Sequence, residues 1–586
     1  MSKKWILPQI AFESVERLAR DLRISRLTAQ ILANRGLADA QRARQFLEPS
    51  LHDLNDPGEH PSLKSAAAFL RDAIAGGRHI TIFGDYDADG VCATALLLNC
   101  LRATGANADF HIPHRIEDGY GLTCAALDEL KARGTEVVVT VDCGISACEE
   151  AAHARSLGME LIVTDHHEPG RQRPEARHLL NPRLPECDFG YGYLAGVGVA
   201  FKLAWALGRQ ITAGASVPEA YRQLLVEALP LVAIGTIADV VPLADENRTL
   251  VHFGLRLLPH SASPGIQALL CVSGAGGKAV ISRYHVAYQL APRLNAAGRM
   301  ADARAAVEML TADDPHLAAE LAEYLEQQNR RRQSLQRLIA DEARQQAEEA
   351  TRLDRCGCIV LSSPNWHLGV AGLVASRLAE QFWRPTFIFC EEARVARGSG
   401  RSIPGFHLFE AISRCEDLVE RYGGHEGAAG LSLPLENLGP FRERMNQIAR
   451  ERFGPDPPVP HLDLEGEVEL ADISEPVVSE LQRLEPFGAG NPDPLFAARN
   501  LRLAGNPELV GSKRTHLSFL ARQGDVTLRV IAFGKADWLP ELSARRGEPF
   551  ALAFEPTIST FGERRVELRA EDIQWESQAL IEMRSG

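Results

Sequence analysis

From about residue 65 the chain alternates short β-branched runs with helix-like segments of about a dozen residues, a rhythm few folds accommodate. AAAFLRDAIAGG leads into HITIF, CATALLLNCLRATG into ADFHI, CAALDELKARG into EVVVTV, and CEEAAHARSLG into ELIVT. The runs are apolar throughout rather than at every second residue. That predicts a parallel sheet buried on both faces by its own crossover helices. We read this α/β block over residues 65–314.

The rest of the chain divides around it. Residues 1–64 read as a helical segment, with LTAQILANRGL and AQRARQFL as amphipathic pieces before the loop-like HDLNDPGEHPS. Residues 315–351 are almost free of Gly and β-branched residues and predict one connector helix, roughly 50 Å long at 1.5 Å per residue. Its apolar positions hold no heptad through QQNRRRQ, which argues against a coiled coil. Residues 352–455 return to a smaller α/β pattern. After the Pro-rich RFGPDPPVPH, residues 456–586 alternate apolar and polar in HLSFLAR, DVTLRVIAFG and FALAFEP, the texture of a small antiparallel barrel such as an OB-fold.

Acids collect where the strands end. GDYDADG after HITIF holds Asp85, Asp87 and Asp89; VDCGIS after EVVVTV holds Asp142; TDHH after ELIVT holds Asp165, His166 and His167. Asp239 in IADVVPL is a lone acid in an apolar run. D-x-D-x-D-G also opens a calcium EF-hand loop, but the twelfth position from Asp85 is Leu96 instead of a bidentate Glu, and a strand precedes it instead of a helix. The glycines miss both the dinucleotide and the P-loop spacings. Any one of these acids alone fits a helix N-cap. Together they crowd the carboxyl edge of one sheet, where carboxylates repel unless cations hold them ionised. Oxygen donors with one or two imidazoles suit two divalent ions, Mn²⁺ or Mg²⁺, and a pair of such ions hydrolyses phosphate esters.

GDYDADG, VDCGIS, TDHH and IADVVPL, in that order, resemble the acidic motifs of the DHH phosphoesterase superfamily. APRLNAAGR, HLGVAGLVASRL, GSGRSIPGFHL and GGHEGAAG resemble the RecJ family of single-strand-specific 5′ exonucleases. The resemblance implies a DHH lobe, a connector, a DHH-associated lobe that clamps the strand, and an OB-fold domain. It implies Asp85, Asp87 and Asp142 on one ion, and Asp89, Asp142, His166 and Asp239 on the other. His167 would face the scissile phosphate, and Asp165 would orient the loop or an imidazole. Some superfamily members carry a histidine where this chain has Phe83; Phe83 cannot ligate, so Asp85 takes that place.

Substrate contacts are expected from Arg293, Asn295 and Arg299 in APRLNAAGR, from Arg397, Arg401 and Ser402 in the Gly-rich segment, and from His425 in GGHEGAAG. Arg330, Arg331 and Arg332 read as a solvated face of the connector. In the barrel, Lys513, Arg514 and Arg529 with Phe519, Phe533 and Trp538 offer charge and stacking, although aromatics at alternate positions equally fit a core. A net charge of −14 argues against broad non-specific attraction to nucleic acid but leaves room for a local basic groove.

The expected activity is 5′-3′ hydrolysis of single-stranded DNA to nucleoside 5′-monophosphates in recombination and repair. Single-stranded-DNA-binding protein and a helicase are the implied partners. A superfamily oligonucleotide or cyclic-dinucleotide phosphodiesterase would not need the connector and barrel. An inactive nucleic-acid-binding scaffold would show gaps in the acidic set, and this set has none. With no apolar stretch of 18 residues and no signal-like start, the chain reads as cytoplasmic and off the membrane, and with no coiled coil or apolar docking stripe in the sequence it reads as monomeric.

Overall fold

The computed structural model describes the chain apart from residues 1–2, 10, 116–118, 120, 188, 212–215, 354–355, 455–457, 560–563, 576–580 and 584–586. The boundary expected between residues 455 and 456 lies outside the described residues. The chain packs as two units: Met1–Asp53, Pro242–Asp245 and Val459–Gly586 form one, Leu54–Val241 and Glu246–Pro458 the other.

The larger unit contains the expected parallel sheet. Its strands are β1 (Ile80–Gly84), β2 (Ala108–His111), β3 (Val137–Val141), β4 (Glu160–Thr164) and β5 (His178–Leu180), in the order β2-β1-β3-β4-β5. Every residue of ITIFG and VVVTV is buried, as a sheet covered on both faces requires. The strand order reverses between β1 and β3, and loops leaving neighbouring strands there part to opposite sides and open a crevice. Main-chain bonding runs one residue past each strand: Asp85 N–H donates to Val141 O (3.3 Å), Asp142 N–H to Thr164 O (3.0 Å) and Asp165 N–H to Leu180 O (3.0 Å). Three aspartates therefore leave the sheet in one row.

Helices α1 (Ala88–Ala103), α2 (Gly196–Ile211) and α3 (Leu229–Ala238) are buried on most sides and pack against one another, which accounts for their nearly unbroken apolar sequences. Among the described residues Glu219–Ala238 is the stretch long and apolar enough to cross a membrane, and 67% of its apolar 18-residue window is buried inside the protein. A five-residue π-helical turn, Val286–Leu290, feeds α4 (Ala291–Met300). The connector α5 (Pro315–Leu353) is one helix of 39 residues, about 58 Å long.

Beyond it the strands β6 (Ile359–Ser363), β7 (Thr386–Glu392), β8 (Val395–Arg401), β9 (Arg421–Gly424) and β10 (Ala428–Pro434) form a mixed sheet in the order β9-β10-β8-β7-β6. Helix α6 (Leu368–Phe382) shares an apolar cluster with this sheet and the connector, while Phe387, Phe389 and Phe441 fill a second cluster.

In the smaller unit Phe496–Val510, His516–Gln523, Val526–Ala532, Arg565–Trp575 and Phe550–Ser559 pair in succession, and the last pairs back to the first, closing a five-stranded barrel. Phe496, Phe519, Phe550 and Phe554 are interior, so Phe519 packs the core instead of offering a stacking face. Arg529 is tied to Ser518 Oγ (3.0 Å); Phe533 is exposed, with the Arg569 guanidinium 5.7 Å from its ring centre.

Residues 1–53, read from sequence as part of a separate helical segment, share this core through Val15, Leu18, Ile31 and Leu32. They also contain an unexpected strand. Lys4–Leu7 lies between His461–Asp463 and Ile581–Met583 in a parallel three-stranded sheet, with Trp5 fully buried and donating from Nε1 to Asp572 Oδ2 (2.8 Å).

Candidate active site

GDYDADG turns directly from β1 into α1. A Cβ on Gly84 would overlap Thr94 Oγ1, and one on Gly90 would lie 2.5 Å from the Asp85 carbonyl oxygen, so both glycines are steric requirements of the turn. Asp87 caps α1, its Oδ1 accepting from Asp89 N–H (2.9 Å) and Gly90 N–H (3.1 Å). The Ala88 N–H donates instead to Asn295 Oδ1 (2.9 Å) on α4. The Asp89 carboxylate accepts from the amides of Gly196 (2.7 Å) and Val197 (3.0 Å) at the start of α2, where a helix terminus favours negative charge.

Asp142 holds a left-handed backbone at φ 63°, a conformation that costs a non-glycine residue energy and that recurs at functional sites. Gly196 makes room for it, since a Cβ there would stand 2.5 Å from Asp142 Oδ1. Asp239 ends α3, and the next residue, the β-branched Val240, is again left-handed at φ 63°. His166 Nε2 lies 3.1 Å from Asp142 Oδ1 and 3.5 Å from Asp239 Oδ2. Asp165 faces the other way. Its Oδ1 accepts from the amides of His166 (2.7 Å) and His167 (3.1 Å) and sits 2.8 Å from His167 Nδ1, while its Oδ2 accepts from Ile145 N–H (2.9 Å).

Donor atoms gather in three sets, each within 4.8 Å: Asp85, Asp87 and Asp142; Asp89, His166 and Asp239; Asp142, His166 and His167. So many carboxylates out of water disfavour their own ionisation. Burial, then the charge of Asp87, pushes Asp89 up to about 7; burial, then Asp89, pushes Asp239 up to about 8. Asp85 and Asp142 rise well above the usual carboxylate range, again by burial first and by Asp87 and Asp89 second. Burial and the neighbouring His167 hold His166 down to about 3, leaving its ring neutral with a lone pair to give. His167 is the reverse: burial is outweighed by the hydrogen bond and charge of Asp165, and its imidazole rises to about 9.

Asp85 Oδ1 is buried and takes no hydrogen bond among the described residues. An orphaned carboxylate oxygen, crowded like charges and a neutral imidazole together fit divalent cations. Phe83 offers nothing to a metal; it is fully buried and stacks on His111, with ring centres 5.1 Å apart.

A second group of like charges faces this one. The Arg299 guanidinium is driven down to about 9 by burial and then by Arg115, Arg332 and Arg401, with the charge of Asp87 opposing them. Its Nη1 donates to Gly369 O (3.2 Å) at the start of α6. Arg401 donates to Ser399 Oγ (2.8 Å) and Gly400 O (2.7 Å), and Arg115 lies 4.7 Å from the centre of the Tyr86 ring within GDYDADG. His425 feels both Arg401 and His167, which add to burial in lowering its imidazole.

Four expected contacts stand differently. Arg293 is tied inward, its Nε 2.8 Å from Glu326 Oε2 on the connector. The Asn295 side-chain oxygen caps α1. The Ser402 hydroxyl donates to Phe406 O. Arg397 is half-exposed, 3.7 Å from Glu392 Oε2. Arg332, read as part of a solvated face, is half-buried, while Arg330 is exposed as expected. Arg115 carried no sequence signal beyond its place after a strand.

A parallel sheet with this row of aspartates and an Asp-His-His turn defines the class: residues 79–236 match the DHH family, N-terminal domain, 356–451 the DHHA1 domain, and 464–572 the RecJ OB domain. The chain is 36% identical to the single-stranded-DNA-specific exonuclease RecJ of Salmonella typhimurium over 93% of its own length and 95% of that protein. It is 38% identical to that of Bacillus subtilis, covering 91% of this chain and 66% of that protein. The crystal structure of Thermus thermophilus RecJ in complex with Mn²⁺ superposes with a TM-score of 0.81 at 32% identity, covering 97% of this chain and 79% of that one. The chain belongs to the RecJ family.

Proposed function

We propose that this chain is a divalent-metal-dependent exonuclease that hydrolyses single-stranded DNA from the 5′ end and releases nucleoside 5′-monophosphates. The observation that carries this reading is the confrontation, within one unit, of a buried acid cluster at the sheet's switch point with a cluster of arginines. Acids of that kind take cations, and guanidiniums of that kind take phosphate.

Asp85, Asp87 and Asp142 would hold one ion, and Asp89, Asp142, His166 and Asp239 the other, with Asp142 between them. Asp87 and Asp89 retain lone pairs after accepting their amides, so capping and ligation are compatible. Bound Mn²⁺ or Mg²⁺ supplies an activated water and neutralises developing charge on phosphate oxygens. Asp165 fixes the His167 ring through Nδ1 and keeps it protonated near neutrality, so Nε2 carries a proton toward the scissile phosphate and its departing oxygen. Arg115, Arg299 and Arg401 would grip the phosphates of the strand end, with His425 at the same mouth.

A single-strand-specific enzyme needs its strand unwound before it acts. A helicase and a single-stranded-DNA-binding protein fill that need in this reading, which places a monomeric cytoplasmic enzyme in recombination and repair. Digestion of 5′-labelled and 3′-labelled single strands and a blunt duplex, with Mn²⁺, Mg²⁺ or chelator, is the test. Early loss of 5′ label that requires metal and single strand supports the proposal. Metal-independent release, or equal attack on duplex, overturns it.

A further inference from the structure

The connector helix does more than span a distance. Glu326, in its first third, is 6% exposed, and both carboxylate oxygens are engaged: Oε2 lies 2.8 Å from Arg293 Nε and Oε1 2.7 Å from Arg330 Nε. Arg293 in turn donates to Gln289 O in the π-helical turn and to Val272 O (3.2 Å). One guanidinium thus ties the connector to the turn that feeds α4 and to the helix ending at Val272.

Helix α4 then reaches the acid loop at two points. Asn295 Oδ1 accepts the Ala88 N–H, between the two aspartates assigned to different ions, and Gly298 packs so closely on Tyr86 that a Cβ would stand 2.6 Å from its carbonyl oxygen. A helix held this tightly has no slack, so a shift at Arg293 is delivered to Ala88 and Tyr86. Glu326 touches none of the acids, and its partner Arg293, expected from sequence to meet DNA, is turned to the connector instead.

We infer that Glu326 is a positioning residue for the metal centre, acting through Arg293 and Asn295 on the Asp87–Asp89 loop. The inference rests on the metal-dependent reading above. It is tested by direct Mn²⁺ binding to the full chain without DNA, by calorimetry and by electron paramagnetic resonance, for wild type, E326Q, E326D, R293M, E326Q/R293M and R330A. E326Q and R293M are each expected to weaken Mn²⁺ binding roughly 10-fold, the lower end for groups behind metal ligands. The double variant should be no weaker than either single one, E326D should recover most of the affinity, and R330A should bind as wild type.

Wild-type Mn²⁺ affinity in folded E326Q, or additive losses in the double variant, overturns the inference. Should E326Q fail to fold, R293M decides by the same titration, and wild-type affinity in it overturns the inference. Absence of Mn²⁺ uptake by wild type itself would instead strike the metal reading.

Discussion

The acid cluster and the arginine cluster are opposite answers to one difficulty. Both press like charges together out of water, and each pays in its own ionisation, carboxylates pushed up and Arg299 pushed down to about 9. They differ in how they are built. The aspartates sit on short turns locked by amides, two glycines and left-handed residues, whereas the arginines arrive from a loop, two helices and a strand, held by carbonyls or ring faces. Rigid acids suit ions that demand fixed geometry; long cationic side chains suit a backbone of phosphates that must move on after each cut.

Breaking the acid side should cost most. Asp142→Ala removes a donor common to two of the three sets, and turnover on a single-stranded oligonucleotide should fall on the order of 10³-fold or more while filter-binding affinity for the oligonucleotide stays within a few-fold. Breaking the cation side should reverse the pattern. On the proposed reading Arg401→Ala loses a charged phosphate grip worth about 1.5–3 kcal/mol, raising KM roughly 10- to 100-fold, with Mn²⁺ affinity measured by calorimetry unchanged.

A pH series sharpens the comparison. Metal requires the ionised carboxylates, and Asp89 and Asp239 hold protons up to about 7 and about 8, so Mn²⁺ affinity should rise from pH 6 to pH 9 with net proton release on binding. Asp239→Asn should flatten the upper part of that rise, measured by calorimetry in buffers of different ionisation enthalpy. The smallest effect belongs to Arg397→Ala. Its side chain is half-exposed beside Glu392, and kcat/KM should change by no more than about 3-fold.

The acid side was legible in the sequence because Asp85, Asp142 and Asp165 each follow a strand directly, with Asp87 and Asp89 in the turn after the first, and strand ends of a parallel sheet share one edge; Asp239, at the end of a helix, showed only as a lone acid in an apolar run. The arginine side was legible only in part. Arg299 and Arg401 stand in Gly-rich motifs, but Arg115 and Arg332 join them through tertiary packing between residues up to 286 positions apart, which no local pattern encodes. Arg293 looked like its neighbour Arg299 and proved to point inward, because residues six apart on a helix face different directions. The strand Lys4–Leu7 escaped because four residues carry little periodicity and both pairing partners lie more than 450 residues away.

That distant pairing has a temporal side. The first 53 residues share their core with residues 459 onward, so their apolar faces leave the ribosome with nothing to cover them. At 5–20 residues per second the roughly 400 intervening residues take on the order of 20 to 80 seconds to synthesise. Most of the larger unit has its full sequence in hand before the barrel exists. Those helices must wait, exposed to chaperones and to neighbouring chains, until residues 459 onward are made.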